Sequence, residues 1–214
     1  MTSKLSLLAF VFLLLSGCTA PPRSVIDISL PSLTQISNAN EIEVYISSSE
    51  DNRLFEPQST DFSNPSLNPD AVQGNDINAR AIARKSDSDG KGLGDILLPE
   101  GKTIEFLISS VLKQTLIANG YKIISDKDLI TDNTSIVDTK IDKFWAWMNQ
   151  GLLNTTITSQ ISTSIVFKSR NKTDKITTSV KQSDTYQSAS DSNWKEIIEK
   201  ALNEYAVKLS SQLK

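Results

Sequence analysis

Cys18 is the only cysteine among 214 residues, in a chain that contains no histidine at all. The residues before it, Leu15-Ser16-Gly17, turn from apolar to small. That lets the backbone enter a peptidase and leaves the thiol as the one strong nucleophile on which an acyl-bearing group could be built. A lone thiol forms no disulfide within the chain, although an oxidising compartment would permit one. Without histidine the usual general base near neutral pH and the commonest metal ligand are missing, which excludes Ser-His-Asp, Cys-His and zinc chemistry. Catalysis would fall to paired carboxylates acting on a cell-wall glycan, with Glu41, Asp51, Glu100 and Asp142 as candidates. Nothing in the sequence brings two of them into one cleft, and solvated surface acids are the simpler reading.

Two further motifs fail on their own chemistry. Gly90-Lys91-Gly92 lacks the earlier glycine and the following hydroxyl of a phosphate-binding loop. Asp87-Ser88-Asp89-Gly90-Lys91 begins like a calcium loop but puts a lysine where a carboxylate should coordinate. No catalytic, cofactor or metal residue is assigned. What remains is recognition. Phe144-Trp145-Ala146-Trp147-Met148 carries the aromatic types enriched at interface centres, and alternation puts Trp145 and Trp147 on one face, both in a core or both exposed. Arg80, Arg84, Lys85 and Lys91 make a locally basic stretch suited to lipopolysaccharide, a glycan strand or an acidic protein face. The competing reading is a solvated loop balanced by Asp76, Asp87, Asp89 and Asp95.

The elements that must position these residues begin with Lys4 and the apolar run Leu5 to Leu15. A membrane span needs about 20 apolar residues and this run has roughly half, so it reads as a cleaved secretory signal covering residues 1–17. Leu-Ser-Gly-Cys at its end resembles a bacterial lipobox, which implies a Cys18 carrying three acyl chains, palmitate among them, held permanently in a bilayer. Thr19 stands where an aspartate would retain such a protein at the inner membrane, so the expectation is the outer membrane, with the domain facing the periplasm. Loss of Lys4 moves the formal charge from −3 to about −4. An acidic chain is a poor match for nucleic acid, whose affinity comes from phosphate neutralisation.

Residues 18–40, with Pro21, Pro22 and Pro31, read as a periplasmic tether that includes a strand-like piece at Ser24 to Leu30. Residues 41–214 read as a single α/β domain. Ile42, Val44 and Ile46 alternate with polar residues as the first core strand, and residues 51–101, rich in proline and glycine, form a long loop ordered in part around Ala81, Ile82 and Leu93 to Leu98. Ile104, Leu107, Ile108, Val111, Leu112 and Leu116 mark one helix face ending at Gly120, and Tyr121 to Ser125 follows as a short strand. Thr134 to Ala146 is a strand whose apolar residues change face near Phe144, predicting a bulge or an edge. Leu153 to Phe167 and Lys175 to Tyr186 alternate as a long hairpin with one wet face. Trp194 to Leu209 is a second helix, with capping oxygens on Asp191, Ser192 and Asn193. The predicted fold is α+β, a two-layer sandwich with a mixed four- to five-stranded sheet and two helices on one face, in β-α-β-β-β-β-α order.

Several segments, taken in order, carry a resemblance: Ala20-Pro21-Pro22 after the lipobox, Asp51-Asn52-Arg53, and Arg80-Ala81-Ile82-Ala83-Arg84-Lys85. The order continues through Leu97-Leu98-Pro99-Glu100-Gly101, Asn119-Gly120-Tyr121 and Asp142-Lys143-Phe144-Trp145-Ala146-Trp147. With them the chain resembles the YajG family of Gram-negative lipoproteins. The resemblance implies an envelope lipoprotein without an established activity. The order of elements also looks like that of periplasmic lipoproteins that activate peptidoglycan synthases and of the accessory domain of curli secretion pores, a likeness of fold alone. The expected function is a membrane-anchored, non-enzymatic accessory module that docks a periplasmic or envelope protein through Trp145, Trp147, Arg80, Arg84 and Lys85. The alternatives are a carboxylate-dependent enzyme or binder on cell-wall glycan, and a pocket for an amphiphile between helices and sheet.

Overall fold

The computed structural model describes residues 23–34, 42–57, 59, 61–69, 71, 74–87 and 89–213. In chain order these form β1 (Ser24–Val25), β2 (Glu43–Asp51), α1 (Asn75–Arg80), β3 (Ala81–Ser86), β4 (Gly92–Leu97), α2 (Ile104–Ala118) and β5 (Lys122–Ile123). There follow β6 (Ser135–Gln150), β7 (Thr155–Ser169), β8 (Lys172–Tyr186) and α3 (Asp191–Gln212).

The class is α+β, and the strands join one mixed eight-stranded sheet rather than four or five. Strand β6 is its spine. Along one edge it pairs antiparallel with β7, which pairs in turn with β8. Its other edge is shared end to end by two parallel neighbours, β2 against the first half and β3 at Ala146. Outside them lie β5, parallel to β2, and β4 with β1. The face change near Phe144 is a register shift between Ile141 and Lys143, a bulge in a central strand and not an edge.

The extra strands come from segments that hide their period. Ala81 to Ala83 and Gly94 to Leu98 are buried without alternation, because helices cover one side of the sheet and the 53–77 segment covers the other. The proposed loop therefore holds α1, β3 and β4. The proposed tether is likewise part of the domain from Arg23 on. Ile26 and Ile28 are core residues, the Ile26 amide donates to the Leu97 carbonyl at 2.9 Å, and Arg23 pairs with the buried Asp95 at 3.3 Å.

Helix α2 lies against β2, α3 against β7 and β8, and the two helices touch. Thr103 caps α2 by accepting from the Phe106 amide, and Gly120, with φ of 86°, turns the chain out of it. The cap of α3 lies one residue before the expected ones. Ser190 and Asn193 each accept from the other's backbone amide, a capping box that leaves Asp191 free for another bond. The stripe residues Ile108, Leu112, Ile198 and Leu202 are fully buried in one core with Ile141, Phe144, Ile157, Ile161 and Ile165. Trp145 and Trp147, pointing the other way from β6, join a second cluster with Leu67, Ala81 and Leu97, closed over by Phe55, Phe62 and Ile77.

Candidate functional site

The two tryptophans expected at an interface are core residues. Trp145 is 1 % exposed and Trp147 6 % exposed. The Trp145 indole donates to the Phe62 carbonyl at 3.2 Å and stands edge-on to Phe55, with centroids 6.0 Å apart. Alternation correctly put both on one face; the segment after β2 folds back over that face, and a strand period carries no sign of such a return.

Arg53 fixes that segment. The β2 ladder on β6 stops at Asp51 and Asn52 opposite Ile141, and the β3 ladder is in register at Ala146, which leaves the Phe144 carbonyl between two strand ends. The buried Arg53 guanidinium fills the gap. Its Nη1 donates to the Ala81 carbonyl at 2.6 Å and the Phe144 carbonyl at 3.0 Å, and its Nη2 to the Asn78 carbonyl at 2.7 Å. Nε and Nη2 grip the Asp51 carboxylate at 2.7 Å each, and the guanidinium lies 5.0 Å over the Phe55 ring. Every N–H of the fork has an acceptor. Asp51-Asn52-Arg53 is visible in the sequence, but its role depends on two strands meeting end to end.

The basic stretch is also bound internally. Arg80 is buried and donates to the Leu98 carbonyl at 3.0 Å, with Asp76 3.4 Å away. Arg84 donates to Ser66 at 3.2 Å and the Gly90 carbonyl at 3.3 Å. The Lys85 ammonium donates to Ser24 and Asp191 at 2.8 Å each, and that bond holds the Asp191 carboxyl below its usual range. These side chains tie the first strand, β3 and α3 together; they are not a free cationic patch. Asp87 accepts from the amides of Asp89 and Lys91, which makes a turn of the calcium-loop look-alike. Among the described residues no group of acids is arranged to hold a metal.

The carboxylate candidates stay apart. Asp51 is held by Arg53, Asp142 accepts from Ser164 at 3.1 Å, Glu100 is exposed on the turn before α2, and Glu41 lies outside the described residues, as does Cys18. The described cavities, of about 410, 560 and 470 Å³, are lined by none of the four. The space between helices and sheet, where an amphiphile would bind, is filled by the main core.

On the face of β6, β7 and β8 opposite the helices, the surface left open is the part beyond Trp145 and Trp147, which the segment after β2 covers. Its residues stand in cross-strand rows, Lys143, Ser162 and Ser179, then Lys140, Ser164 and Thr177, with Lys181 at the border of the covered part, level with Trp145 and Gln160. Outward positions of β8 are exposed from Lys175 to Lys181, and inward ones are buried at Thr178 and Val180. Four lysines, 140, 143, 175 and 181, make no ion pair with a described residue, in a protein of net charge −3. Lys181 lies 5.2 Å over the Trp147 ring, so it caps the second core cluster while its ammonium stays in solvent. Burial draws the Lys143 pKa down, against the pull of Asp61 and with help from Lys181. Lys168 is the exception, bonded to Asp138 at 2.7 Å and holding that carboxyl low. Hydroxyl pairs Thr156 with Thr185 and Thr158 with Ser183 continue the face toward the β6–β7 turn.

A family model, Lipoprotein_16, described as an uncharacterized lipoprotein, matches residues 71–213. No curated protein sequence matches the chain. Solved structures similar to it include three. One, an uncharacterized protein, is 7 % identical with a TM-score of 0.46, over 87 % of this chain and 100 % of that one. A Xanthomonas campestris protein of the DUF330 family is 10 % identical with a TM-score of 0.38, over 91 % and 98 %. A Helicobacter pylori protein named as a neuraminyllactose-binding hemagglutinin homolog is 12 % identical with a TM-score of 0.37, over 88 % and 94 %.

Proposed function

The chain belongs to the uncharacterized lipoprotein family Lipoprotein_16, in agreement with the YajG resemblance, and from that premise we propose a non-enzymatic accessory lipoprotein of the cell envelope. Its anchor is an acylated Cys18, its membrane the outer one, and its domain faces the periplasm. Its partner is an envelope protein with an acidic surface, met by the open face of β6 to β8.

The observation that carries this reading is the set of lysines 140, 143, 175 and 181, without an ion pair among the described residues, on and bordering the part of the sheet face that the segment after β2 leaves open in an acidic protein. Opposite charge across an interface steers encounter and rejects wrong partners more than it adds affinity. Lysine heads in water with stems along the sheet also keep so flat a face soluble while it is unoccupied.

A photo-crosslinking residue at Ser179, between the lysines, tests the reading in living cells. One discrete envelope protein adduct is expected, lost in Lys140→Glu/Lys181→Glu and absent when the crosslinker stands at Val207 on the helix side. Adducts equally abundant at both positions would refute it, and attachment to cell-wall glycan instead would replace the protein partner with the glycan one. Cys18→Ser is expected to release the chain from the membrane fraction.

A further inference from the structure

The β6–β7 turn carries a pair of side chains that turn chemistry does not explain. Its four residues are Gly151-Leu152-Leu153-Asn154, closed by the Gly151 amide donating to the Asn154 carbonyl at 2.8 Å. Tight turns favour glycine, asparagine, aspartate and serine, yet the two central positions here are leucines. They are 103 % and 91 % exposed, the two most exposed large hydrophobic residues among those described. Single exposed leucines are ordinary; two adjacent ones at the outermost point of a long hairpin are not. Around them the chain carries no charge between Lys143 and Lys168, so the turn itself brings no charge of its own into an apolar phase.

The register shows at which end of the sheet the chain enters the domain. Ser24 is level with Ile96, Ile96 with Ala83, and Ala83 with Ala146. Strand β1 is parallel to β4, which is antiparallel to β3, which is parallel to β6. Moving backward from Ser24 is therefore moving forward along β6. From Ala146 to Leu152 is six positions, and from Ser24 back to Cys18 is also six. A residue spans at most about 3.6 Å, so the six residues back to Cys18 reach at most roughly 22 Å from Ser24, which starts a strand whose N-terminal end is the end where the hairpin turns. Leu93, partly exposed at the start of β4, lies at the same end.

We propose that Leu152 and Leu153 form a second membrane contact, entering the interfacial layer of the bilayer that holds the acyl chains and standing the sheet on that membrane. The proposal rests on the reading of Cys18 as acylated. Anchor and tip together fix two points of one end of the domain, so the open lysine face stands upright from the bilayer instead of lying on it. The opposite end, with the β7–β8 turn at Arg170 and Asn171, is roughly 50 Å away along the strands.

An environment-sensitive fluorophore tests this on the full acylated chain, where an engineered cysteine is the sole free thiol. Leu152→Cys and, separately, Asn171→Cys are labelled and reconstituted into vesicles of phosphatidylethanolamine and phosphatidylglycerol, and flotation is checked first. The expected result is a blue-shifted emission at position 152, quenched by spin-labelled lipid and shielded from aqueous iodide, with the reverse at 171. Leu153→Cys repeats the measurement from the neighbouring position, and Leu153→Ser beside the 152 label is expected to lose the shift. If the chain floats and the 152 label behaves like the 171 label, the tip contact is refuted while the acylation reading stands. If the chain does not float, the acylation reading fails and takes the proposal with it.

Discussion

Arg53→Ala is the most informative single change in the domain. It removes one side chain and leaves three backbone carbonyls, those of Asn78, Ala81 and Phe144, without their donors, together with an Asp51 carboxylate without its cation. The arginine side chain is fully buried and the aspartate is 15 % exposed, so solvent replaces only part of what is lost. An orphaned buried acceptor costs about 1–3 kcal/mol, and removing one member of a buried ion pair about 3–5 kcal/mol in total. A loss of about 4 kcal/mol is therefore expected, a large part of the 5–15 kcal/mol typical of a domain. Arg53→Lys should lose roughly half as much, because three donors on a point charge replace five on a planar fork. Urea unfolding of the Cys18→Ser chain measures both, and hydrogen exchange of the Leu98 amide, which donates to the Arg80 carbonyl next to the Ala81 carbonyl held by Arg53, should accelerate in each. A loss below about 1 kcal/mol in Arg53→Ala, with the Leu98 amide still protected, would refute the idea that this side chain bridges the gap between β2 and β3.

The other expectations use the same assay. Trp145→Ala should cost about 3–5 kcal/mol, as a buried tryptophan does; an unchanged melting temperature would mean that the covering segment does not pack as described. Tyr205 is fully buried, and burial pushes its hydroxyl up to about 12, only partly countered by the 2.8 Å bond with Thr163. A raised folded-state pKa stabilises below the ordinary tyrosine range and loses that stabilisation as pH climbs through the folded value. Stability should thus fall by roughly 2–3 kcal/mol between pH 10 and 12, and Tyr205→Phe should flatten that slope. Ser190→Ala removes the α3 cap and should cost about 1 kcal/mol, with no change in the core spectrum of Trp194.

Both long helices and the β7–β8 hairpin were legible because each buries only one side, and a one-sided element writes its period into the chain. For the same reason the Ile157, Ile161 and Ile165 series was readable while Ala81 to Ala83 and Gly94 to Leu98 were not: covered on two faces, they lose the alternation. Phe144 to Met148 has that property too, which is why Trp145 and Trp147 could be placed on one face but not assigned to a core or a surface. The basic residues at 80, 84 and 85 were visible as charges, but their acceptors, Leu98, Ser66, Ser24 and Asp191, come from distant parts of the chain.

Amino-acid order alone carried the expectation of a secretory leader, the lone thiol after small residues, the missing histidine and the two helix stripes, since each depends on neighbours within a few positions. Tertiary structure decided which tryptophans are covered, that β2 and β3 share one edge of β6 with Arg53 between them, and that lysines on three separate strands stand on one open face. It also decided that residues 23–34 close the sheet instead of extending from it, which leaves few residues between Cys18 and the folded domain. Those outcomes arise from pairings between residues far apart in the chain, and strand register, the quantity that brings them together, has no local signature.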